Sequence, residues 1–357
     1  MKPRDDGPTN KPILTVAFDT SHLRRSTGGI ARYVRGLTSA LRQRDDASVI
    51  ELGAGPYEFP GTFRRKLLTA ALDVAWYPTL LRRRSRAVKA DVLHCPAPRG
   101  PMRRGRPPLV VTVHDLVPFR FPETMTRWSR LYARSTHKAM LGAADRIICN
   151  SKDTANDLVT LFGVTADRVR VVYLGVDEIF FEPLPPGDDI AEPYVLFVGT
   201  QELRKNLDRL QSAVSVLRRR GFPHVLVVAG GSAWGDVRLD QPFIRNLGGV
   251  TETELRGLYA NAACLALPSL HEGFGLPALE AMAAGTPVVA SNRGALPEIT
   301  GGAGVSVDPL DVEDIARGLE LAITHPDSFR EAGRRRAREF SWGWAVRDTI
   351  GVYREIV

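Results

Sequence analysis

The sequence predicts an α/β protein made of two Rossmann-like domains, each built on a parallel sheet. A length of 357 residues is enough for two domains with separate cores. A short apolar strand followed by a glycine-containing loop and a helix is predicted twice, with the strands at 13–18 and 264–267. Between these units, residues 181–193 are rich in proline and acidic side chains, as a linker is.

The domain boundaries follow from that linker. We predict an N-terminal domain over 1–182, a linker over 183–193, a C-terminal domain over 194–340 and a final amphipathic helix over 341–357. Residues 1–180 contain 30 Lys and Arg against 17 Asp and Glu, a balance of +13, whereas 181–357 contain 18 against 23, a balance of −5. The basic half is therefore expected to face an anionic partner.

In the first half, strands are predicted over 13–18, 91–95, 109–113, 146–149 and 169–173. A helix over 30–41 places Val34, Leu37 and Leu41 on one face, and a further helix is predicted over 127–144. Ser151 is expected to cap a helix over 154–162. The loop ending in Gly28-Gly29 suits a phosphate but lacks the spacing of a dinucleotide fingerprint, and such a pair is also common in plain turns.

In the second half, strands are predicted over 194–198, 225–229, 264–267 and 287–290, and helices over 203–217 and 252–261. Pro277 suits the first turn of another helix, because no hydrogen bond is lost there. Gly285 is expected to end that helix in a left-handed cap. Asp311 and Asp314 suit a helix N-terminus.

The loop before Pro277 carries the strongest chemical signal. Gly273 and Gly275 allow a ligand to approach the backbone, and N–H groups at a helix start suit a phosphate. Glu272 and Glu280 are acceptors that suit vicinal hydroxyls instead. Phosphate and sugar hydroxyls together describe a nucleotide sugar. For either glutamate taken alone, a solvated surface residue is the preferred interpretation, but for the whole block it is not.

Residues 268–291, PSLHEGFGLPALEAMAAGTPVVAS, resemble the signature of the retaining glycosyltransferase family 4, which includes glycogen synthase-like and mannosyltransferase-like enzymes. That family has the GT-B fold, in which two Rossmann-like domains face each other across a cleft. The resemblance implies that Glu272 contacts the donor hexose and Glu280 the ribose hydroxyls. It extends over nearly the whole chain and is weakest over 59–106.

The segments TGGIARYVRGL and VVTVHDLVPF resemble two further family motifs. They imply that Gly28 and Gly29 approach the donor phosphates and the acceptor, and that His114 faces the donor sugar. A histidine bonded to neighbouring backbone is the alternative for His114. The segment NLGGVTETELRGLYANA resembles the part whose backbone, near Gly248 and Val250, reads the nucleobase.

Arg204 and Lys205 fall near a predicted helix start, where cations are unfavourable unless an anion is present, and this favours a diphosphate. Each alone is also explained as a surface cation. The family often places an arginine directly after the strand glycine, here Gly199, but this chain has Thr200. The phosphate role is therefore assigned to Arg204 and Lys205.

These inferences give two sets of residues. The predicted catalytic residues are Glu272, His114, Lys205 and Arg204. The predicted donor-binding residues are Glu280, Gly28, Gly29, Gly273, Phe274, Gly275, Leu276, Gly248, Val250, Gly199 and Thr200.

The resemblance implies retaining transfer of a hexosyl group from a GDP- or UDP-linked donor to an acceptor hydroxyl, with no cofactor. No D-x-D triplet occurs, so we expect no metal. The run ELRKN resembles that of mannosyltransferases that use GDP-mannose, and this resemblance makes mannose the first expectation. We expect an acceptor glycan or lipid-linked sugar of the cell envelope. The alternatives are a soluble small molecule such as a natural product, a GT-B epimerase or phosphorylase, and a non-catalytic module that binds a nucleotide sugar or a membrane.

Residues 59–106 contain 12 Lys and Arg against two Asp, and Arg82-Arg83-Arg84 follow an apolar segment. This pattern fits an element on an anionic membrane surface, or a helix packed on the sheet with solvated arginines. Without a binding motif we expect no nucleic acid. The sequence shows no leader or bilayer-length span, and its three cysteines suggest reduced thiols. We predict a cytoplasmic protein, with peripheral attachment to the inner membrane face through 59–106.

Overall fold

The computed structural model describes residues 12–24, 28–54, 72–121, 136–182, 190–231 and 238–357. Within them the chain forms two six-stranded parallel sheets, with helices between most of the successive strands. The predicted α/β class is confirmed.

The first sheet contains the strands of the N-terminal half. They are β1 Leu14–Asp19, β2 Ala47–Leu52, β3 Val92–Cys95, β4 Leu109–Val113, β5 Arg146–Cys149 and β6 Val169–Val171. Their order across the sheet is β2-β1-β3-β4-β5-β6. Because the chain leaves β1 on one side for β2 and returns to the other side for β3, the winding reverses beside β1. Val16, Ala17 and Phe18 in β1 are fully buried, since both faces of the sheet are covered.

The second sheet repeats the plan with a different order. Its strands are β7 Tyr194–Val198, β8 Val225–Ala229, β9 Ile244–Gly248, β10 Cys264–Leu267, β11 Val288–Ser291 and β12 Val305–Val307. The order is β12-β11-β10-β7-β8-β9, so the winding reverses between β7 and β10. A ligand site in such a sheet is expected beyond the carboxyl ends of those two strands.

The α-helices are α1 Gly29–Arg42, α2 Leu81–Ala87, α3 Val117–Arg120, α4 Lys152–Phe162, α5 Leu207–Arg219, α6 Glu252–Asn261, α7 Leu276–Ala284, α8 Leu296–Thr300, α9 Val312–Thr324, α10 Pro326–Ala337 and α11 Trp342–Arg354. A π-helix, Leu72–Leu80, precedes α2, and residues 136–143 are also helical. Several predicted caps are confirmed. The Ser151 side chain accepts from Thr154 N, Asp311 caps α9, and Gly285 ends α7 with a φ of 83°.

The helix predicted over 203–217 is wrong at its start. Leu203–Lys205 form a separate 3₁₀ turn, Asn206 has a left-handed φ of 62°, and only then does α5 begin. The cause is tertiary: Asn206 Nδ2 donates to Pro268 O at 2.9 Å and to Pro309 O at 2.6 Å, which holds the residue out of the helix.

The basic segment also differs from expectation. Two predicted segments lie partly outside the described residues, namely 59–71 of the basic segment and 127–135 of the helix predicted over 127–144. Arg82 was expected to flank an apolar segment in contact with a surface, but its side chain is buried, whereas Arg83 and Arg84 are exposed. Helix α2 packs beside the sheet, and Arg82 is on its inner face. In the described part of the chain, no helix combines the length and apolar character needed to cross a bilayer.

The chain divides into two compact units. The described residues up to Thr112, those of Thr136–Ile148 and those of Val346–Val357 form the first, and the described residues of Val113–Ser135 and Cys149–Ala345 form the second. Within the first unit, His94 is completely buried, with Nδ1 2.6 Å from Tyr353 Oη and Nε2 2.8 Å from Thr112 Oγ1. These contacts give His94 a structural role. The cysteines Cys95, Cys149 and Cys264 are buried and unbonded to one another.

The glycine pair after β8, Gly230 and Gly231, allows a test of how the loops of the second sheet pack against one another. A Cβ at Gly230, whose φ is +142°, would lie 2.0 Å from Gly199 O, whereas a Cβ at Gly231 would meet nothing within 4 Å. We expect Gly230→Ala to lower the Tm by about 5 °C or more, because both the clash and the backbone conformation cost free energy. Gly231→Ala is the matched control and should stay within about 2 °C. Calorimetry giving equal Tm values for the two variants would contradict this packing.

Candidate active site

The candidate site of the second unit lies at the reversal point of its sheet. The loop and 3₁₀ turn that contain Gly199, Arg204 and Lys205 follow β7, and the loop that contains Glu272 follows β10. Strands β7 and β10 are parallel neighbours, so both loops leave from the same edge. The fold therefore brings together two segments 67 residues apart in sequence.

Glu272 is the centre of this group. Its Oε1 accepts from Lys205 Nζ at 2.6 Å and from Ser269 Oγ at 2.7 Å, and its Oε2 accepts from Arg204 Nη1 at 3.2 Å. Glu272, Lys205 and Arg204 are all at least 90% buried. Arg204 is also ion-paired with Glu202. Sequence reasoning selected three of these residues and missed Ser269, whose only signal is a hydroxyl three positions before a glutamate.

Electrostatics keep this cluster ionised. Burial alone would raise the pKa of Glu272, but Lys205, Arg204 and the Ser269 hydroxyl outweigh it and lower the pKa from 4.5 to about 2. Burial also opposes the charged form of Arg204, yet Glu272, Glu202 and Asp115 raise its pKa. The anion that these cations need is thus supplied by the protein. This pairing removes the sequence argument that cations near a helix start need an anion from outside the protein. The predicted role of Arg204 and Lys205 towards a diphosphate stays a prediction.

Backbone contacts fix the loop around the carboxylate. Leu270 N donates to Arg204 O at 2.8 Å, and Ala295 N donates to Glu272 O at 3.0 Å. At Gly294, with a φ of +62°, a Cβ would lie 2.8 Å from both Glu272 N and Glu272 O. The position of Glu272 is therefore set by backbone on two sides, and any side chain at Gly294 would displace it.

Gly273 brings His114 to the same loop. A Cβ at Gly273 would lie 2.1 Å from His114 O and 2.8 Å from Asp115 Cβ, so only glycine permits this approach. His114 is half-buried, with Nδ1 3.4 Å from Asn150 Nδ2, and its carbonyl accepts from Thr154 Oγ1 at 3.3 Å. The structure thus places His114 beside the Glu272 loop. Its predicted contact with a sugar stays a prediction.

The predicted donor-binding residues that follow β7, β8 and β9 also lie close together. Gly199 N donates to Ala229 O at 2.9 Å, Gly230 N donates to Gly248 O at 2.6 Å, and a Cβ at Gly199 would be 3.6 Å from Lys205 Nζ. Gln201, which sequence reasoning missed, donates from Nε2 to Gly230 O and to Asn246 Oδ1, both at 2.9 Å. Thr200 is exposed, and Gly248 and Val250 are half-buried at the end of β9 and just beyond it.

Glu280 is buried on α7 and accepts from Tyr259 Oη at 2.8 Å, so the interpretation of Glu280 as a surface residue is wrong. Tyr259 itself is fully buried and packs edge-on against Phe180, with ring centroids 5.9 Å apart. The helix begins at Leu276 after Gly275, which has a φ of +102°, and Phe274 packs edge-on against Phe340. Gly28 and Gly29 lie in the first unit, where Gly28 is the N-cap of α1 and both are exposed.

One side-chain group in the described residues has the composition of a metal site. Ligand atoms of Asp153, Asp157 and His271 lie within 4.8 Å of one another. Arg120 already forms an ion pair with Asp157, so a cation occupies part of this group. The prediction that the enzyme needs no metal stays a prediction.

The fold of both sheets is that of the GT-B class. The model aligns with sucrose-phosphate synthase from Thermosynechococcus elongatus at a TM-score of 0.71 and 22% identity, over 96% of this chain and 98% of that one. It aligns with Anabaena HepE, solved with UDP and glucose, at a TM-score of 0.71 and 17% identity, over 96% and 100%. At these identities the similarity establishes the fold alone.

Sequence comparisons identify the family. Residues 27–179 match the model described as Glycosyltransferase Family 4, and 192–325 match Glycosyl transferases group 1. The chain is 34% identical to O-antigen chain mannosyltransferase B of Escherichia coli, over 69% of this chain and 70% of that protein. It is 31% identical to an MMP alpha-(1->4)-mannosyltransferase of Mycolicibacterium hassiacum, over 70% and 66%, and 31% identical to glycogen synthase of Mycobacterium tuberculosis, over 69% and 63%. The chain belongs to glycosyltransferase family 4 and is a glycosyltransferase.

The lowered pKa of Glu272 predicts an acid-dependent loss of stability. The folded-state pKa of about 2 lies below the ordinary 4.5, so the ionised carboxylate stabilises the fold fully above pH 4.5, and this contribution is lost as the pH falls towards 2. We expect Glu272→Gln to be less stable at pH 7 and to show a shallower fall in unfolding free energy over that range, measured by urea unfolding.

The control for this experiment is Glu252→Gln, which changes an exposed glutamate at the start of α6. It should follow the wild-type pH course. If Glu272→Gln loses stability with acid as steeply as wild type does, the carboxylate is not held by Lys205 and Arg204 as described.

Proposed function

We propose that this glycosyltransferase moves a hexosyl group from a nucleotide diphosphate sugar to an acceptor hydroxyl, with retention at the anomeric carbon and without a metal ion. The observation that carries the proposal is the buried Glu272–Lys205–Arg204 group at the reversal point of the second sheet. Open α/β sheets bind ligands at that point, and this group supplies both cationic and carboxylate chemistry there.

In this proposal Lys205 and Arg204 stabilise the negative charge that develops on the leaving diphosphate. Lys205 Nζ has three donors and gives one to Glu272, which leaves capacity for phosphate oxygens. Its ammonium lies near Gly199, where the absent side chain leaves room for a ligand. Glu272 holds both cations in place and accepts a hydrogen bond from a donor hexose hydroxyl.

Retention follows, in this proposal, from attack by the acceptor hydroxyl on the face that the leaving phosphate departs from, with that phosphate taking the proton. A double displacement would require a carboxylate nucleophile. Glu272 is a poor nucleophile, since its oxygens accept from Lys205, Arg204 and Ser269. His114 lies beside the Glu272 loop through the Gly273 contact, which supports a role at the reacting end of the sugar.

Glu280 is assigned to the ribose hydroxyls. Its carboxylate is buried and oriented by Tyr259, so it is held in one place and does not need to become ordered on binding. The N–H groups at the start of α7 add a positive dipole end for phosphate. Gly248 and Val250 are assigned to backbone contacts with the nucleobase.

For the donor we favour GDP-mannose, because two of the relatives are mannosyltransferases. A UDP-linked donor is the alternative, since the structural neighbour HepE was solved with UDP and glucose. For the acceptor we favour an envelope glycan or lipid-linked sugar, in keeping with the O-antigen relative. A soluble small molecule could accept the sugar by the same chemistry.

Two other classes remain to be tested by turnover. A GT-B epimerase would interconvert free nucleotide sugars without an acceptor, and a phosphorylase would use inorganic phosphate. A non-catalytic module would bind the nucleotide sugar and release no nucleoside diphosphate. Release of nucleoside diphosphate that depends on an acceptor, with an α product from an α donor by NMR, supports transfer with retention. An inverted product contradicts it.

Nucleotide binding gives the first test. We expect one nucleoside diphosphate, GDP before UDP, to raise the Tm of wild-type protein, and Glu280→Ala to weaken its affinity about tenfold or more, because a charge-assisted hydrogen bond to ribose is lost. The measurement is a thermal-shift panel of nucleotides followed by calorimetric titration.

Glu252→Ala is the matched control, since this exposed glutamate starts the helix that carries Tyr259. It should keep wild-type affinity. A Glu280→Ala protein that binds the nucleotide as tightly as wild type would remove Glu280 from the donor site.

We also propose peripheral attachment to an anionic membrane surface on the cytoplasmic side. Exposed Arg83, Arg84, Lys89 and Arg103 support it, together with Leu80, whose side chain is 41% exposed. The double variant Arg83→Ser with Arg84→Ser should bind vesicles containing phosphatidylglycerol about thirtyfold more weakly at low salt, because each charge removed costs about 1 kcal/mol.

The control for the vesicle measurement removes two arginines elsewhere. Arg219→Ser with Arg335→Ser lowers the net charge equally from exposed positions in the second unit. Equal vesicle binding by the two double variants would show that attraction follows net charge and would sink the proposed surface.

A further inference from the structure

Arg82 on α2 is a buried cation that the transfer reaction does not use. Its side chain lies in the first unit at 7% exposure, and none of its Nε, Nη1 and Nη2 atoms has a hydrogen-bond partner in the described part of the chain. A guanidinium stays ionised and offers five N–H donors. Burying it without an acceptor is costly, so the site is complete only with an anion present.

A second guanidinium approaches the same point. A Cβ built at Gly105 would lie 2.4 Å from Arg82 Nη1 and 3.4 Å from Arg86 Nη2. Arg86 is one helical turn after Arg82, so the two side chains share a face of α2. Burial first, and then repulsion from Arg86, lower the pKa of Arg82. The fold thus holds two like charges together beside a residue with no side chain.

The nearby carboxylate of Asp145 does not supply the hydrogen-bond acceptor that Arg82 lacks. Asp145 attracts Arg82 electrostatically, but its Oδ2 accepts from Leu109 N at 2.7 Å and Arg82 has no hydrogen bond to it. Arg86 Nε donates to Arg106 O at 2.7 Å. The loop residues on either side of Gly105 are Arg104 and Arg106, both exposed. The surroundings add positive charge where a negative group is needed.

We propose that Arg82 and Arg86 form a binding site for a phosphate group beneath the Gly105 loop. Two guanidinium forks match the oxygens of one tetrahedral phosphate better than they match a single carboxylate. A phosphate can reach Arg82 Nη1 only when the Gly105 loop lies farther out than in this structure, because a Cβ at Gly105 would be 2.4 Å from that atom. This site belongs to the first unit, whereas Lys205 and Arg204 belong to the second. The phosphate is carried either by a soluble molecule or by a lipid headgroup.

The test is calorimetric titration of inorganic phosphate at constant ionic strength, with chloride as the reference salt. All proteins carry Lys205→Met, which removes one of the two cations proposed for the donor diphosphate, and any phosphate binding left at Arg204 is the same in every variant compared. In that background we expect Arg82→Met to weaken phosphate binding about tenfold or more. Arg35→Met, which changes an exposed arginine on α1 of the same unit, should leave it unchanged. Equal phosphate affinity with and without Arg82 overturns the proposal.

A second readout separates binding from folding. Without phosphate, Arg82→Met should raise the Tm, because an unpaired buried charge is replaced by an apolar chain of similar length. In the parent protein, phosphate should raise the Tm, and this gain should vanish in Arg82→Met. If Arg82→Met does not fold, Arg86→Met replaces it, and unchanged phosphate affinity in that variant likewise overturns the proposal.

Vesicles identify the source of the phosphate. Phosphatidylcholine vesicles with and without phosphatidic acid are sedimented with the Arg82→Met and Arg35→Met proteins. Loss of the phosphatidic acid-dependent fraction in Arg82→Met assigns a lipid headgroup, and loss of inorganic phosphate binding alone assigns a soluble ligand. Equal binding of both probes by the two variants overturns the site. Because the proteins compared differ only in the first unit, these outcomes do not depend on the proposed transfer reaction.

Discussion

The second unit depends on one buried carboxylate held between two cations. Lys205 and Arg204 surround Glu272 and outweigh the effect of burial, so the pKa of its carboxyl is lowered to about 2 and the group is ionised at neutral pH. Each of these three charged side chains would be costly to bury alone, and the free-energy cost of burying them together as ion pairs is far lower. The group also ties the loop after β10 to the turn after β7. These ion pairs therefore stabilise the fold and also position the residues of the predicted site.

Glycines make this arrangement possible, each for a specific contact. Gly294 allows the chain to pass against the backbone of Glu272, and Gly273 allows the backbone at His114 to approach. Gly230, just after β8, likewise allows the backbone of Gly199 to approach closely. These close approaches bring loops from separate strands to one edge of the sheet. Larger residues would separate them, and the carboxylate and its cations would no longer meet.

The two units treat buried positive charge differently. In the second, Arg204 is balanced by Glu272 and Glu202, so its pKa is raised. In the first, Arg82 is buried beside Arg86 without a hydrogen-bonding acid, and its pKa is lowered. In the phosphate site proposed above, an anion from outside balances Arg82 as Glu272 and Glu202 balance Arg204.

The sequence by itself determined the α/β class, most strand positions, the cap residues Ser151 and Gly285, and the family. Those features follow from local periodicity, capping chemistry and one dense motif, which neighbouring residues carry. The tertiary structure decided what depends on distant partners. Asn206 breaks a helix because Pro268 and Pro309 accept its hydrogen bonds, and Arg82 is buried because α2 packs on that face. Only the fold could show that the anion beside Lys205 is Glu272, since the two lie 67 residues apart.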